Sequence, residues 1–155
     1  MYNYPTKRIA LLFLFTILNF LAFGQSKHYY VSTLGNDANN GLSITSSWAS
    51  INKVNTFPFQ PGDTLNFQGG GSFNGTIQFR QNHSGIENKP IVITSFGSQK
   101  ATIQGGFGNG IEIFDAEYVE IRNISVKGDG VYKNDGQGIH VHTNRSDKML
   151  HGIVI

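Results

Sequence analysis

Three short apolar triplets between residues 110 and 130 constrain the fold more strongly than any other feature of the sequence. They occupy residues 111–113, 119–121 and 124–126. In each triplet a polar residue separates two aliphatic ones, which is the period of a strand that buries one face. No two-residue Asn-Gly or Asp-Gly turn joins the triplets, and the bend at Arg122 and Asn123 is too short to form a hairpin. Three brief strands joined by corners predict one coil of a parallel β-helix.

The same pattern recurs along the chain at spacings of roughly 20 to 30 residues, as in a solenoid. Residues 139–141 resemble 111–113, residues 153–155 match 119–121, and residues 77–79, 91–93 and 101–103 supply an upstream coil. One coil alone buries too little apolar surface to offset the entropy of ordering its backbone, so the coils must stack. We therefore predict an all-β, right-handed parallel β-helix over residues 64–155. The sequence ends inside a predicted strand, and we expect it to be the front part of a longer protein.

Residues 25–63 do not repeat and are predicted to form an N-terminal cap. A strand is expected at residues 28–32, followed by an Asx-rich loop at 35–41. Ser46 and Ser47 offer an N-cap to a short amphipathic helix, with Trp48, Ile51 and Val54 on one face. Such a helix would cover the open end of the first coil.

Residues 1–24 have the features of a secretory signal: Lys7 and Arg8, an apolar run at 9–23, and a small-residue cleavage site at 22–24. A transmembrane anchor is the alternative, but the run is short and contains Thr16 and Asn19. We predict a secreted, extracellular, periplasmic or cell-surface protein with no membrane span after cleavage.

Composition narrows the class of protein further. Cleavage of the signal would remove two of the 12 basic residues, and the remaining ten equal the ten acidic residues. The rest of the chain contains no run of basic residues, so we predict no nucleic-acid partner. There is no cysteine, so an exported chain must be stabilised by its core rather than by disulfides.

Several segments resemble the opening of secreted bacterial proteins of the right-handed parallel β-helix, or pectate-lyase-like, superfamily. They are Tyr29-Tyr30-Val31-Ser32, Gly35-Asn36-Asp37, Asn40-Gly41, Trp48, Pro61-Gly62-Asp63 and Lys89-Pro90-Ile91-Val92-Ile93. The resemblance covers roughly residues 28–126. Many members are polysaccharide lyases or glycoside hydrolases, including alginate lyases and chondroitinase B. The resemblance implies the architecture and secretion but not a reaction, because one fold carries many activities.

The ladder that contains Ile77, Ile111 and Ile139 is predicted to carry a polar strip on its outer side. Its members are Gln78, Arg80, Glu112, His140 and His142. In the proteins that this chain resembles, a groove along such a ladder often receives the sugar chain, so we predict that the strip binds polysaccharide. The loop at residues 128–138 would stand at its rim, with Asp129, Tyr132, Lys133 and Asp135. A solvated face without function is the alternative interpretation.

Candidate catalytic residues on the strip are Arg80, His140 and His142. A lyase needs a cation to neutralise a uronate carboxylate and a base to remove the adjacent proton, and these residues could supply both. A hydrolase normally needs two carboxylates, but the strip offers only Glu112, so hydrolysis is less supported. The leading hypothesis is the N-terminal part of a polysaccharide lyase that acts on an acidic polysaccharide. The alternative is a non-catalytic glycan-binding or adhesin β-helix. The sequence does not indicate an oligomeric state.

No cofactor is assigned with certainty. The loop at residues 36–41 has oxygen ligands that could hold Ca²⁺, but Asx turns that shape the cap explain the same residues better. We assign no metal ligands on the strip. His83 and His151 are placed in corners and are expected to be solvated.

Overall fold

The computed structural model describes residues 25–131, 133, 135–146 and 149–155. The predicted signal at residues 1–24 and Tyr132 of the predicted rim lie outside the described residues. The described strands are β1 (His28–Val31), β2 (Thr64–Gln68), β3 (Ser72–Asn74), β4 (Ile77–Phe79), β5 (Ile91–Phe96), β6 (Ala101–Gly106), β7 (Ile111–Phe114), β8 (Val119–Ile121), β9 (Ile124–Gly128) and β10 (Ile139–His142). A short helix, α1 (Ile51–Thr56), and 3₁₀ turns at Ile44–Ser46 and Gln81–His83 complete the described elements.

The strands form three parallel sheets, in the orders β1-β2-β5-β8, β3-β6-β9 and β4-β7-β10. From β2 to β10 each successive strand belongs to the next sheet, so the chain passes through all three sheets before returning one layer further on. Strand β1 joins the first sheet beside β2. This is a parallel β-helix, as predicted from the sequence. The predicted right-handed winding is the sense that connections between parallel strands almost always take.

The register between coils agrees with the predicted repeats. Ile111 is opposite both Ile77 and Ile139, and Ile91 is opposite Val119. In sheet β3-β6-β9 Ala101 is opposite Ile124. Val154 forms a bridge to Glu120 of β8. Strand β3 was not predicted, because Ser72-Phe73-Asn74 contains a single apolar residue, which is too little to establish a period.

The interior is a column of aliphatic and aromatic side chains from all three sheets. Its members with no exposed surface include Val31, Leu65, Phe67, Ile77, Phe79, Ile91, Ile93, Ile103, Ile111, Ile113 and Val119. They alternate with polar residues along the strands, so each coil buries one side and presents the other to solvent.

Aromatic rings close the N-terminal end of the column. Trp48 is 1% exposed and stacks on Tyr29, with ring centroids 5.2 Å apart, and Phe57 and Phe59 pack around both. The predicted helix start is wrong. Trp48 lies before the helix and bridges to Val31, and Ser50 is the N-cap, accepting a hydrogen bond from the Lys53 amide. The pairing of Trp48 with β1 extends the backbone there and delays the helix.

Asx turns shape the loop at residues 36–41. The side-chain oxygens of Asn36 and Asn40 accept hydrogen bonds from backbone amides two residues ahead. Asp37 accepts from the amides of Ala49 and Ser50 and from the Ser50 hydroxyl. Burial alone would raise the pKa of Asp37, but these hydrogen bonds outweigh it and lower the pKa from the usual 3.8.

His83 is not solvated, and that expectation was wrong. Its side chain is 3% exposed and packs between the rings of Phe59 and Phe79, while His151 is exposed as expected. Burial lowers the pKa of His83. The 3₁₀ turn that follows Arg80 folds the ring under the sheet, which the apolar pattern alone does not indicate.

Among the residues that the structure describes, no helix is long and apolar enough to cross a membrane.

Packing at Gly41 gives a test of the cap. Gly41 has φ +75°, and a Cβ there would lie 2.5 Å from Cε2 of the buried Trp48. Gly97 has φ +89° with no atom within 4 Å of its Cβ position, so it carries the same backbone strain without the clash. We expect Gly97→Ala to lower the free energy of unfolding by about 1–2 kcal/mol. Gly41→Ala should lose a further ~1–3 kcal/mol through overpacking.

Urea unfolding followed by the fluorescence of Trp48, the single tryptophan of the chain, measures both losses. Equal losses of unfolding free energy for the two variants would show that Trp48 can move away from the added methyl group and is not tightly packed against the end of the first coil.

The lowered pKa of Asp37 predicts a dependence of stability on pH. Because the folded state holds the carboxylate in its charged form, Asp37 stabilises the fold above pH 3.8. This contribution is lost as the pH falls through the lower folded-state pKa. Urea unfolding at a series of pH values should therefore show Asp37→Asn destabilised at neutral pH and approaching the wild type in acid. Asp129→Asn, at an exposed carboxylate, is the control and should show no comparable gap.

Candidate functional site

The outer side of sheet β4-β7-β10 carries a group of side chains that we call the polar face: Gln78, Arg80, Glu112, Phe114, His140 and His142. Gln78, Glu112 and His140 are opposite one another on successive strands. Phe114 is opposite His142 in the neighbouring row. The five residues of the predicted strip are thus brought together, because they alternate with inward apolar residues, which are fully buried on β4 and β7 and partly buried on β10.

Glu112 is the centre of the polar face. Its Oε2 lies 2.8 Å from Nη2 of Arg80 and accepts a hydrogen bond of 3.3 Å from Nε2 of Gln78. Its other oxygen, Oε1, lies 3.4 Å from Nε2 of His142. Only 17% of the Glu112 side chain is exposed, so the coils above and below largely enclose it.

The two imidazoles stack on each other. The ring centroids of His140 and His142 are 4.2 Å apart and the planes differ by 8°. His142 also packs on Phe114 at 4.7 Å, and the Arg80 guanidinium lies 5.4 Å from the centre of the same ring. Phe114 was missed in the sequence. Its position two residues after Glu112 on one strand was the signal that could have found it.

A second group borders the polar face where β7 ends. Asp115 takes φ +59°, and its Oδ1 accepts hydrogen bonds from Oγ1 of Thr143 and, at 3.2 Å, from Nε of Arg145. The hydrogen bond from Thr143 is the largest cause that lowers the pKa of Asp115, and the Arg145 charge adds to it. The sequence did not indicate this group, since it depends on the left-handed corner at Asp115.

Residues 135–137 of the loop at 128–138 lie beside His140. Asp135 and His140 line an open pocket of about 310 Å³ together with Phe107, Gly108, Asn109, Gly136 and Gln137. Two backbone amides of this part of the loop donate hydrogen bonds to the preceding coil. The Asp135 amide donates to the Phe107 carbonyl, and the Gln137 amide donates to Oδ1 of Asn109. Of the predicted rim residues, Asp129 and Lys133 are exposed and do not line this pocket.

The polar face combines hydrogen-bonding groups with an aromatic ring. The charges of Arg80 and Glu112 compensate each other, and the imidazoles can both donate and accept protons. The face continues toward a pocket lined by the amide side chains of Asn109 and Gln137. This arrangement suits a ligand rich in hydroxyl groups, and the imidazoles could also hold a metal ion.

Comparisons with known proteins agree with the fold. No protein-family model matches the sequence, and no curated protein matches it significantly. Similar solved structures include two of GH136 lacto-N-biosidase from Eubacterium ramulus. The selenomethionine derivative has a TM-score of 0.64 and 21% identity, over 83% of this chain and 28% of that chain. The native protein has a TM-score of 0.58 and 22% identity, over 76% of this chain and 26% of that chain. The chain thus spans roughly a quarter of the length of these structures, and the likeness shows a shared fold.

The enclosure of Glu112 predicts the strength of its pair with Arg80. The matched control is the ion pair of Arg122 with Glu120, 3.1 Å apart and outside the polar face. The side chains of Arg122 and Glu120 are 59% and 25% exposed, whereas those of Arg80 and Glu112 are 39% and 17% exposed. Double-mutant cycles with glutamine replacements should give a coupling of about 1 kcal/mol for Arg80–Glu112 and near 0 to ~0.5 kcal/mol for the control.

Both couplings should decrease as salt is added. Equal values at low salt would mean that Glu112 is as hydrated as Glu120 and that its position is not fixed by the polar face.

Proposed function

We propose that the chain is part of a secreted carbohydrate-active enzyme that binds a glycan along the polar face. The observation that carries this proposal is the arrangement of Gln78, Arg80, Glu112, Phe114, His140 and His142 in matching rows on three successive coils. A fold shared with GH136 lacto-N-biosidase structures supports it. The proposed secretion rests on the signal features of residues 1–24.

The geometry of stacked coils suits a polymer. Equivalent positions repeat about every 4.8 Å along the axis, so a row of side chains can contact successive parts of one extended ligand. Phe114 offers an apolar ring surface beside the imidazole of His142 and the guanidinium of Arg80, and the surrounding groups supply hydrogen bonds to hydroxyls. A merely solvated face would not need these side chains to contact one another.

Elimination from an acidic polysaccharide is the reaction that the residues of the face fit best. The guanidinium of Arg80 has five donors and can contact a substrate carboxylate while it retains Glu112. An imidazole, His140 or His142, would take the proton from the carbon next to that carboxylate as the glycosidic C–O bond breaks and a C=C bond forms. The departing oxygen would take a proton from solvent water and become a hydroxyl. This makes the chain part of a polysaccharide lyase of the kind found in the pectate-lyase-like superfamily.

Hydrolysis is the second candidate. A hydrolase needs two carboxylates, and Asp135 lines the pocket beside His140 while Glu112 lies on the same face. The similar solved structures are of a lacto-N-biosidase, which also favours it. A non-catalytic glycan-binding or adhesin protein would use the same face without bond cleavage.

One experiment separates the three functions. The full chain is incubated with alginate, pectate and glycosaminoglycans, and ultraviolet absorbance, new reducing ends and retention in glycan-containing gels are measured. Absorbing unsaturated products indicate a lyase, reducing ends without absorbance indicate a hydrolase, and retention alone indicates a binding protein.

Substitutions on the polar face test where the glycan binds. We expect His142→Gln to reduce cleavage by about 10²–10⁴-fold, the usual contribution of a general base. Phe114→Ala should weaken retention in the gel. Arg122→Gln, on a different sheet, is the control and should retain both activities. Wild-type binding by the Phe114 and His142 variants would exclude the polar face as the glycan site.

A further inference from the structure

Three metal-binding side chains converge on the polar face. One ligand atom from each of Glu112, His140 and His142 lies within 4.8 Å of the other two. The residues come from neighbouring strands β7 and β10, with Glu112 opposite His140 and His142 two residues further along. The parallel register of the coils therefore creates this cluster, because Glu112 precedes His140 by 28 residues and His142 by 30 residues in the sequence.

The separations fit a single small cation. Two ligand atoms on one tetrahedral Zn²⁺ lie about 3.3–3.6 Å apart, because its bonds to nitrogen and oxygen are about 2.0–2.2 Å. Oε1 of Glu112 and Nε2 of His142 are 3.4 Å apart, within that range. A shift of His140 on the order of 1 Å would bring the third ligand atom into the same sphere.

Two of the three ligands have a neighbour that orients them. Arg80 and Gln78 both bind Oε2 of Glu112, which leaves Oε1 directed at His142. The ring of His142 packs on Phe114 at 4.7 Å. Ligands held by such outer contacts lose less entropy when a metal binds.

The ligand set indicates the class of metal. Ca²⁺ and Mg²⁺ bind oxygen atoms, whereas two imidazoles and one carboxylate suit Zn²⁺ and its first-row neighbours. Three protein ligands on an outer face leave a fourth position open to solvent or to another ligand. The rings of His140 and His142 are stacked with centroids 4.2 Å apart and planes 8° apart, so one ring must rotate out of the stack for both to bind one ion.

We propose that Glu112, His140 and His142 form a binding site for a divalent transition-metal ion of the zinc class. The site uses residues of the proposed glycan face, but it does not depend on glycan binding, because the metal is measured without any carbohydrate. A bound ion would place a Lewis acid at the centre of the polar face, with Arg80 beside it.

The experiment is a titration of the full chain, free of any histidine tag, with ZnCl₂ by isothermal calorimetry. A parallel titration with CoCl₂ follows the visible absorption bands of four-coordinate cobalt. We expect one Zn²⁺ per chain, and His140→Gln and His142→Gln should each weaken binding by at least about 10-fold, the effect of outer-contact mutations alone. Glu112→Gln should also weaken binding.

Two exposed histidines outside the cluster provide matched controls. His28→Gln and His151→Gln should bind Zn²⁺ as the wild type does, and added CaCl₂ should not displace the ion. Circular dichroism verifies that each variant is folded. If Glu112→Gln unfolds the chain by leaving Arg80 unpaired, the loss of Zn²⁺ binding by His142→Gln is sufficient to test the site.

Absence of stoichiometric Zn²⁺ binding, or equal binding by the His140 and His142 variants, would overturn the metal site whatever the glycan assays give. Zn²⁺ binding without glycan retention would instead support the metal site and contradict the proposed function.

Discussion

The in-register stacking of parallel strands is the constraint on which the rest of this structure depends. Ile77, Ile111 and Ile139 meet in one sheet although they are about 30 residues apart in the sequence, and their inward side chains share one column. Since side chains alternate along a strand, a slip of one residue would turn every aliphatic group outward. The burial of the core therefore fixes the register, and the register then fixes which polar residues become neighbours on the outside.

Among the described residues, the two ends of the column differ in how they are covered. At the N-terminal end, Trp48, Tyr29, Phe57 and Phe59 form a stacked aromatic cluster, and the Asp37 carboxylate holds the chain that leads from Trp48 into helix α1. At the other end Val154 forms a single bridge to β8 and is 56% exposed. Stacking energy in a solenoid comes from neighbouring coils, so the aromatic cap substitutes for a coil below the first one.

The polar face is a consequence of the same stacking and not of local sequence. Glu112 contacts residues from the coil before it, through Arg80 and Gln78, and from the coil after it, through His142. These contacts enclose a carboxylate that would be hydrated on an isolated strand, and they bring two imidazoles to one of its oxygens. The proposed glycan site and the proposed metal site both draw on this arrangement, because each requires polar groups held at fixed separations.

The sequence by itself determined the coil positions, the matching of strands between coils and the outward direction of the predicted strip. These follow from alternation and repeat spacing, which are local properties of the chain. It did not determine strand β3, the helix start at Ser50 or the burial of His83, because these depend on pairing and packing with distant residues. Only the tertiary structure decided that Phe114 joins the polar face and that Asp115 binds Arg145. It also decided that Glu112 directs one oxygen to Arg80 and the other to His142, since side-chain rotamers are set by neighbours one coil away.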